Sequence, residues 1–344
     1  MNTNVPALPA RPASFTGGRT DLIVCLGYGP ELPVYARARA LWQFYASHFP
    51  NIKFYFVREA SDMGCGEIRF DGHDVVIGIG DKFRSDTSEA AGYAETGVWS
   101  NIENQRSVFR QVSFYDYLLR SRDQPFYVYQ STITSVVDFR SVLAIMDTLP
   151  AMQCYSGMPG IMTGPPEIKG LSFACGTNGI ISSDLLVTMR NRYAPGHAYT
   201  NLPQDLWQAL VLHDVPRIAL PFFSFVNPRA NVGPDSNVAE MTRRLLAHGH
   251  YHFRVKSDSA AAGLASREDI DPWIMLEVMK TVLASQHSTD AALGLKQRLT
   301  LSLNPNNGET MTAYGEEKFF SGPRDFPLND TETESLYPDL VRPS

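Results

Sequence analysis

Two periods of hydrophobic and polar residues alternate along this chain. Leu22-Ile23-Val24-Cys25-Leu26 is a continuous apolar run of strand length that closes on Gly27-Tyr28-Gly29, the pattern of a central parallel strand feeding a glycine loop. A helix is expected from about 33 to 48, a second strand over 51–57 and a third over 74–80. The polar segment 81–101, with Tyr93, Glu95, Thr96, Gly97 and Trp99, reads as a surface loop, and 106–122 as an amphipathic helix. Strand and helix signals in alternation predict an α/β chain with a mostly parallel sheet covered on both faces.

The pattern changes most sharply after the next strand. Phe126-Tyr127-Val128-Tyr129 gives way to Gln130-Ser131-Thr132-Ile133-Thr134-Ser135, and then Val137, Val142, Leu143, Ile145, Met146 and Leu149 recur at helical spacing within 136–149. A buried strand that ends in hydroxyl residues delivers polar groups at its tip. Further on, Gly176-Thr177-Asn178-Gly179 reads as a turn whose glycines allow close backbone approach, with Ser182, Ser183 or Asp184 able to cap the helix that follows. Asp205 stands alone at the head of the apolar helical run Leu206–Leu212, where it either caps the helix or projects into a cleft.

Past that helix, 215–225 reads as one proline-bounded strand and 239–250 as a helix. Alternation in 250–257 sets His252, Arg254 and Lys256 on one face of a strand, which suits either an anion or a charge-protected edge. Helices are expected over 271–285 and 289–303. Residues 1–20, with Pro6, Pro9 and Pro12, and 304–344 read as loosely attached tails around a main domain over 21–303.

The order of the Phe126 strand, Val136-Val137-Asp138-Phe139, Tyr155-Ser156-Gly157, Cys175-Gly176-Thr177-Asn178-Gly179-Ile180-Ile181-Ser182-Ser183-Asp184-Leu185 and Leu202-Pro203-Gln204-Asp205-Leu206-Trp207 resembles GT-A-fold glycosyltransferases of the fringe and β-1,3-galactosyltransferase type. In outline the resemblance spans 21–225, and motif by motif 126–212. It implies a GT-A-like (Rossmann-like) sheet with a nucleotide-sugar half at about 21–150 and an acceptor and catalytic half at about 151–303. It also implies transfer of a hexose from a nucleotide sugar, a UDP-sugar foremost, to a hydroxyl of a glycan or glycoconjugate, as in polysaccharide biosynthesis. Asp205 matches the general base of an inverting enzyme, and Gln204 replaces a frequent second acid. The donor side is expected to use Gly27, Tyr28, Gly29, Arg106, Gln130, Ser131, Thr132, Thr134, His252, Arg254 and Lys256. The acceptor side is expected to use Gly176, Thr177, Asn178, Gly179 and Trp207. One departure matters: where the relatives carry Asp-x-Asp for a divalent metal, this chain has Thr132-Ile133-Thr134, so no cofactor and no Mn or Mg ion is expected.

Composition narrows the classes. Hydrophobic residues make up 44% of the 344 and charged ones 19%, a globular balance. A formal charge of -6 without a basic cluster excludes non-specific nucleic-acid binding, since phosphate backbones need grouped Lys and Arg. No run of apolar residues is long enough to cross a bilayer, so a cytoplasmic protein is expected, and the resemblance, whose Golgi members usually carry an N-terminal anchor, implies a bacterial or viral origin. The four cysteines are widely spaced, which sets aside zinc pairs and a thiol nucleophile. Gly27-x-Gly29 lacks the third glycine of a dinucleotide fingerprint, and Gly-Tyr-Gly-Pro-Glu-Leu is not the basic phosphate loop of a pyrophosphorylase. The remaining alternative to a transferase is a non-catalytic glycan- or nucleotide-binding protein of the same fold.

Overall fold

The computed structural model describes residues 22–29, 33–83, 101–121, 125–162, 168, 170–195, 197–220, 223–225, 237–247, 249–256, 267–285, 298–304 and 309–314. The N-terminal tail, loop residues 84–100 with Tyr93 to Trp99, and most of the C-terminal tail lie outside the described residues.

Strand β1, Leu22–Gly27, is central. On one side it pairs in parallel with β2, Lys53–Ala60, which pairs with β4, Asp74–Gly78, itself joined to β3, Ile68–Asp71. On the other side β1 pairs in parallel with β5, Tyr127–Thr132. Beyond β5 come antiparallel β8, Ser172–Ser182, then β7, Tyr155–Ile161, β9, Arg217–Ala219, and the hairpin of β12, Arg298–Asn304, and β13, Glu309–Tyr314. Ten strands thus form one mixed sheet. A second sheet of three joins β10, Phe223–Phe225, β11, His252–Val255, and β6, Ser135–Val137.

Alternate residues of β1 explain why both faces are covered. Leu22, Val24 and Leu26 pack with Ala38, Trp42 and Tyr45 of α1, Pro33–Ala46, and with apolar residues of α3, Phe139–Met146, α6, Val238–Ala247, and α7, Arg267–Ala284. Ile23 packs on the opposite side with Val108, Val112 and Leu118 of α2, Asn101–Arg120, Leu185 and Met189 of α4, Ser183–Arg192, and Trp207 of α5, Gln204–Val211. A period of two in the strand meets a helix layer at each face.

Two aromatic side chains of α1 fix the corner between β5 and β6. Trp42 donates through Nε1 to the Ile133 carbonyl at 2.9 Å, and the Tyr45 hydroxyl donates to the Val137 carbonyl at 2.7 Å, both buried. Removing such a donor strands a buried carbonyl at a cost of about 1–3 kcal/mol. The corner is therefore held from the core side. A similar repair appears in α7, where Pro272 lacks the N–H that would reach the Glu268 carbonyl, and Arg37 of α1 donates to that carbonyl at 2.6 Å.

Several sequence expectations change here. Residues 298–304 form strand β12 where a helix over 289–303 was expected, and 309–314 of the expected tail is strand β13. The single strand over 215–225 is two, β9 and β10, in different sheets. The expected helix 136–149 is shortened to α3 because Ser135–Val137 pairs with β11 first. Asp138 then caps α3, accepting from the Arg140 N–H at 3.3 Å and the Ser141 hydroxyl at 2.7 Å.

Candidate functional site

Strands β2 and β4 continue outward from β1, whereas β8, β7 and β9 continue outward from β5, so the order reverses between β1 and β5. Ligands of open α/β sheets bind outside the carboxyl ends of strands at such a reversal. Gly27 and Thr132, the last residues of the two strands, are in register across it. Gly27 leaves space for Arg110 of α2, whose Nη2 would lie 3.4 Å from a Cβ placed there. Arg110 and Arg106 share Glu59, each at 3.2 Å, so two guanidinium groups stand over the end of β1 with one carboxylate between them. The sequence reading named Arg106 and missed Arg110; the glycine at 27 was the available signal.

The turn expected at Gly176-Thr177-Asn178-Gly179 is a bulge inside β8. Between the pairs Gly157–Gly179 and Pro159–Ala174, β7 advances through Met158 alone while β8 passes through Cys175–Asn178. Extra residues of this kind re-aim side chains beside functional clefts. Gly157 is required by the bulge, since a Cβ there would meet the Asn178 carbonyl oxygen at 2.5 Å and Ala174 Cβ at 3.0 Å.

Asp205 abuts this bulge, its Cβ lying 3.5 Å from a Cβ built at Gly176. Pro203 occupies the N-cap of α5, so Asp205 sits in the first helical turn and is not the cap. Its carboxylate accepts from the Leu206 N–H at 3.0 Å and from the Gly176 N–H. Burial pushes the Asp205 carboxyl above the ordinary carboxylate range, against the opposing pull of those N–H groups and of the nearby Arg254 guanidinium. A carboxylate raised in this way is a stronger proton acceptor than a fully solvated one.

The structure sorts the expected ligand contacts. Thr132, Arg254, Lys256, Gly176, Arg106 and Gly29 are partly exposed, and Thr134, Ser131 and Thr177 are mostly covered. Four others are inside the protein. Gln130 faces the α2 side, donating to the Tyr115 hydroxyl and accepting from Gln208 at 3.1 Å. Trp207 is 1% exposed and meets Tyr193 edge-on. Asn178 accepts from Tyr129 and Tyr251, and Gly179 packs against Gln130. These four are corrected from ligand contacts to supporting core, because all are buried where a ligand could not reach them, and the Gln130 and Asn178 side chains already have protein partners. Tyr28 is likewise turned to Asp74, which its hydroxyl meets at 3.2 Å and Arg39 at 3.0 Å.

His252 changes the most. Of the three basic groups expected on one face, it is fully buried, and burial, with Arg254 beside it, drives its pKa well below the ordinary histidine value. The face therefore offers two cations, Arg254 and Lys256. Burial also pushes the Cys25 and Cys154 thiols up to about 12 and raises Cys175, which removes them as nucleophiles at neutral pH.

Thr132 and Thr134 do not fit a divalent cation. Their hydroxyls lie 3.4 Å apart, Thr132 also meets Ser135 at 3.1 Å, and Asp138 nearby is committed to capping α3. Among the described residues no three His, Cys, Asp or Glu side chains converge as a metal site, and no helix is long and apolar enough to cross a membrane. A separate groove of about 670 Å³, lined by Phe49, Phe54, Tyr55, Phe70, His73 and Tyr117, opens at the amino end of β2, away from these polar groups. No known protein family matches this chain, and no curated protein is significantly similar to it.

Proposed function

We propose that this protein is a GT-A-like glycosyltransferase that moves a sugar from a nucleotide sugar to a hydroxyl acceptor with inversion, Asp205 acting as general base. The observation that carries the reading is Asp205 itself, half-buried against the bulge of β8, the strand next to β5, raised in pKa and within the field of Arg254. In the proposed step the Asp205 carboxylate takes the proton of the acceptor hydroxyl as its oxygen bonds to the anomeric carbon. The bond from that carbon to the donor phosphate breaks, and the nucleoside diphosphate leaves with the electron pair.

Charge grows on the diphosphate as that bond breaks, and preorganised cations stabilise it. Arg254, Lys256, Arg106 and Arg110 are the groups assigned to that task. No step runs through a metal, because the Thr132 and Thr134 hydroxyls are the wrong donors for one. A UDP-sugar donor, a glycan or glycoconjugate acceptor and a cytoplasmic location complete the proposal.

The test is release of nucleoside diphosphate from a panel of nucleotide sugars by the purified protein, with and without glycan acceptors. Turnover that rises with acceptor supports transfer. Binding of the nucleotide sugar without any release would replace the enzyme with a binding protein of the same fold.

A further inference from the structure

We propose that Thr132 is held with its hydroxyl hydrogen turned into the protein, so that the tip of β5 offers a ligand a hydrogen-bond acceptor, suited to a hydroxyl or amine hydrogen and not to a phosphate oxygen. The inference goes beyond the transferase reading, because it follows from a chain of buried groups behind the tip.

The chain starts in the core. Tyr251 is fully buried, and its hydroxyl donates to Asn178 Oδ1 at 3.0 Å. A buried hydroxyl hydrogen needs an acceptor, so this contact fixes the Asn178 amide with its oxygen toward Tyr251; the opposite amide orientation would set an N–H₂ against that O–H. The same oxygen lies 2.9 Å from the Tyr129 hydroxyl, which must therefore donate to it as well. With its single hydrogen spent, Tyr129 can only accept from His252 Nδ1, 2.6 Å away. His252 consequently carries its proton on Nδ1.

Its other nitrogen then decides the tip. A neutral imidazole protonated on Nδ1 has a lone pair on Nε2, and burial next to Arg254 keeps this ring neutral. Nε2 meets the Ser135 hydroxyl at 3.1 Å, so Ser135 donates to it. Ser135, fully buried and with its hydrogen also spent, accepts from Thr132 at 3.1 Å. Thr132 is partly exposed, and both of its lone pairs are left for the cleft and for Thr134 at 3.4 Å. Anionic oxygens are then left to Arg254, Lys256, Arg106 and Arg110, and the threonine to a neutral donor.

The tautomer is read by long-range proton–nitrogen NMR correlation on the nitrogen-labelled, full-length, ligand-free protein near neutral pH, with His252 identified by its loss in His252→Gln. A neutral ring protonated on Nδ1 is expected in the wild type and in Ser135→Ala. Tyr129→Phe removes the oxygen that receives that proton, and the ring should go over to the Nε2 form. An Nε2-protonated or charged ring in the wild type, or an unmoved tautomer in Tyr129→Phe, overturns the inference. On the ligand side, Thr132→Val should weaken UDP-glucose about two- to tenfold, the span of one neutral hydrogen bond, and leave inorganic pyrophosphate unaffected. Weakened pyrophosphate, or unchanged UDP-glucose, overturns the assignment of the tip. Failure of the wild type to bind UDP-glucose would count against the transferase reading, and the tautomer alone would then decide this one.

Discussion

Asp205→Asn separates a base from an anchor. The amide keeps the side-chain shape and one acceptor oxygen beside the Leu206 and Gly176 N–H groups, and it loses the negative charge and the capacity to take a proton. A positioned general base contributes about 10²–10⁴-fold. At 1.36 kcal/mol per decade, that is about 2.7–5.5 kcal/mol of activation free energy. Stability should move the other way. Because burial holds the folded pKa above the unfolded one, the folded protein binds the extra proton in the interval between them, and its stability falls as pH rises through that interval. Above it, the wild type bears a desolvated charge that asparagine lacks. Asp205→Asn should therefore be at least as stable as wild type near neutral pH in urea unfolding, and this advantage should vanish where both folded and unfolded Asp205 are protonated. The same shift sets the acid limb of the wild-type pH–rate profile above the ordinary carboxylate range. Nucleoside diphosphate release from nucleotide sugars is the assay, with nucleotide affinity measured alongside. Normal turnover in Asp205→Asn would refute the base assignment, and marked destabilisation near neutral pH would show that the charged carboxylate holds the bulge in place.

Four further outcomes are expected. Activity should survive EDTA, and complete loss restored by manganese would mean that a carboxylate outside the Thr132–Thr134 tip holds a metal. Arg254→Ala and Arg110→Ala should each weaken donor binding by about 1.5–3 kcal/mol, the range for hydrogen bonds to charged groups; calorimetry showing unchanged affinity in both would detach the anion from this edge. His252, neutral when folded and ordinary when unfolded, gives a contribution that is present above the unfolded pKa near 6.5 and lost as pH falls below it, at up to about 1.4 kcal/mol per pH unit. Urea midpoints of His252→Gln should lack that part of the acid dependence, and an identical pH dependence in the variant would place a charged ring in the folded state. Gly157→Ala should cost about 1–3 kcal/mol by overpacking against the Asn178 carbonyl, and an unaffected thermal midpoint would mean that the β8 bulge yields freely.

Periodicity made some of this chain legible and local chemistry hid the rest. The continuous apolar run of β1 and the alternation of strand and helix signals after it pointed to a doubly covered sheet, and both faces are indeed filled. The abrupt change from Tyr129 to Ser131 marked the end of β5, and the lone Asp205 marked the head of α5. Gly176 and Gly179 signalled an irregularity, but a bulge inside a strand and a turn between strands use the same glycines for the same close approach. What failed was burial. Trp207 and Gln130 have the side chains of a binding site, yet whether a tryptophan faces a cleft or Tyr193 depends on packing between α4 and α5 that no local pattern records. His252 alternates with Arg254 and Lys256 as a basic stripe would, and only the pairing of β11 with β6 shows that its ring is sealed under Ser135.

That sealing bears on why the β5 tip carries threonines. A carboxylate at 132 would stand at the end of the hydrogen-bond chain through Ser135 to His252, where it would draw a proton onto a ring that burial keeps neutral. The result would place a charged imidazolium at a fully buried position, where its desolvation is costly. Position 134 is no better for an acid: Thr134 is 4% exposed, and its carbonyl is already taken by the Val255 N–H at 2.8 Å. An aspartate there would lose its hydration. The Thr132-Ile133-Thr134 tip and the buried histidine thus form one arrangement, in which neutral hydroxyls close the strand, and on the proposed transferase reading the positive charge for the diphosphate comes from β11 and α2 through Arg254, Lys256, Arg106 and Arg110. On that same reading, an acidic pair at 132 and 134 calls for replacing His252 at the same time, so threonines in place of an Asp-x-Asp go together with the packing of the second sheet.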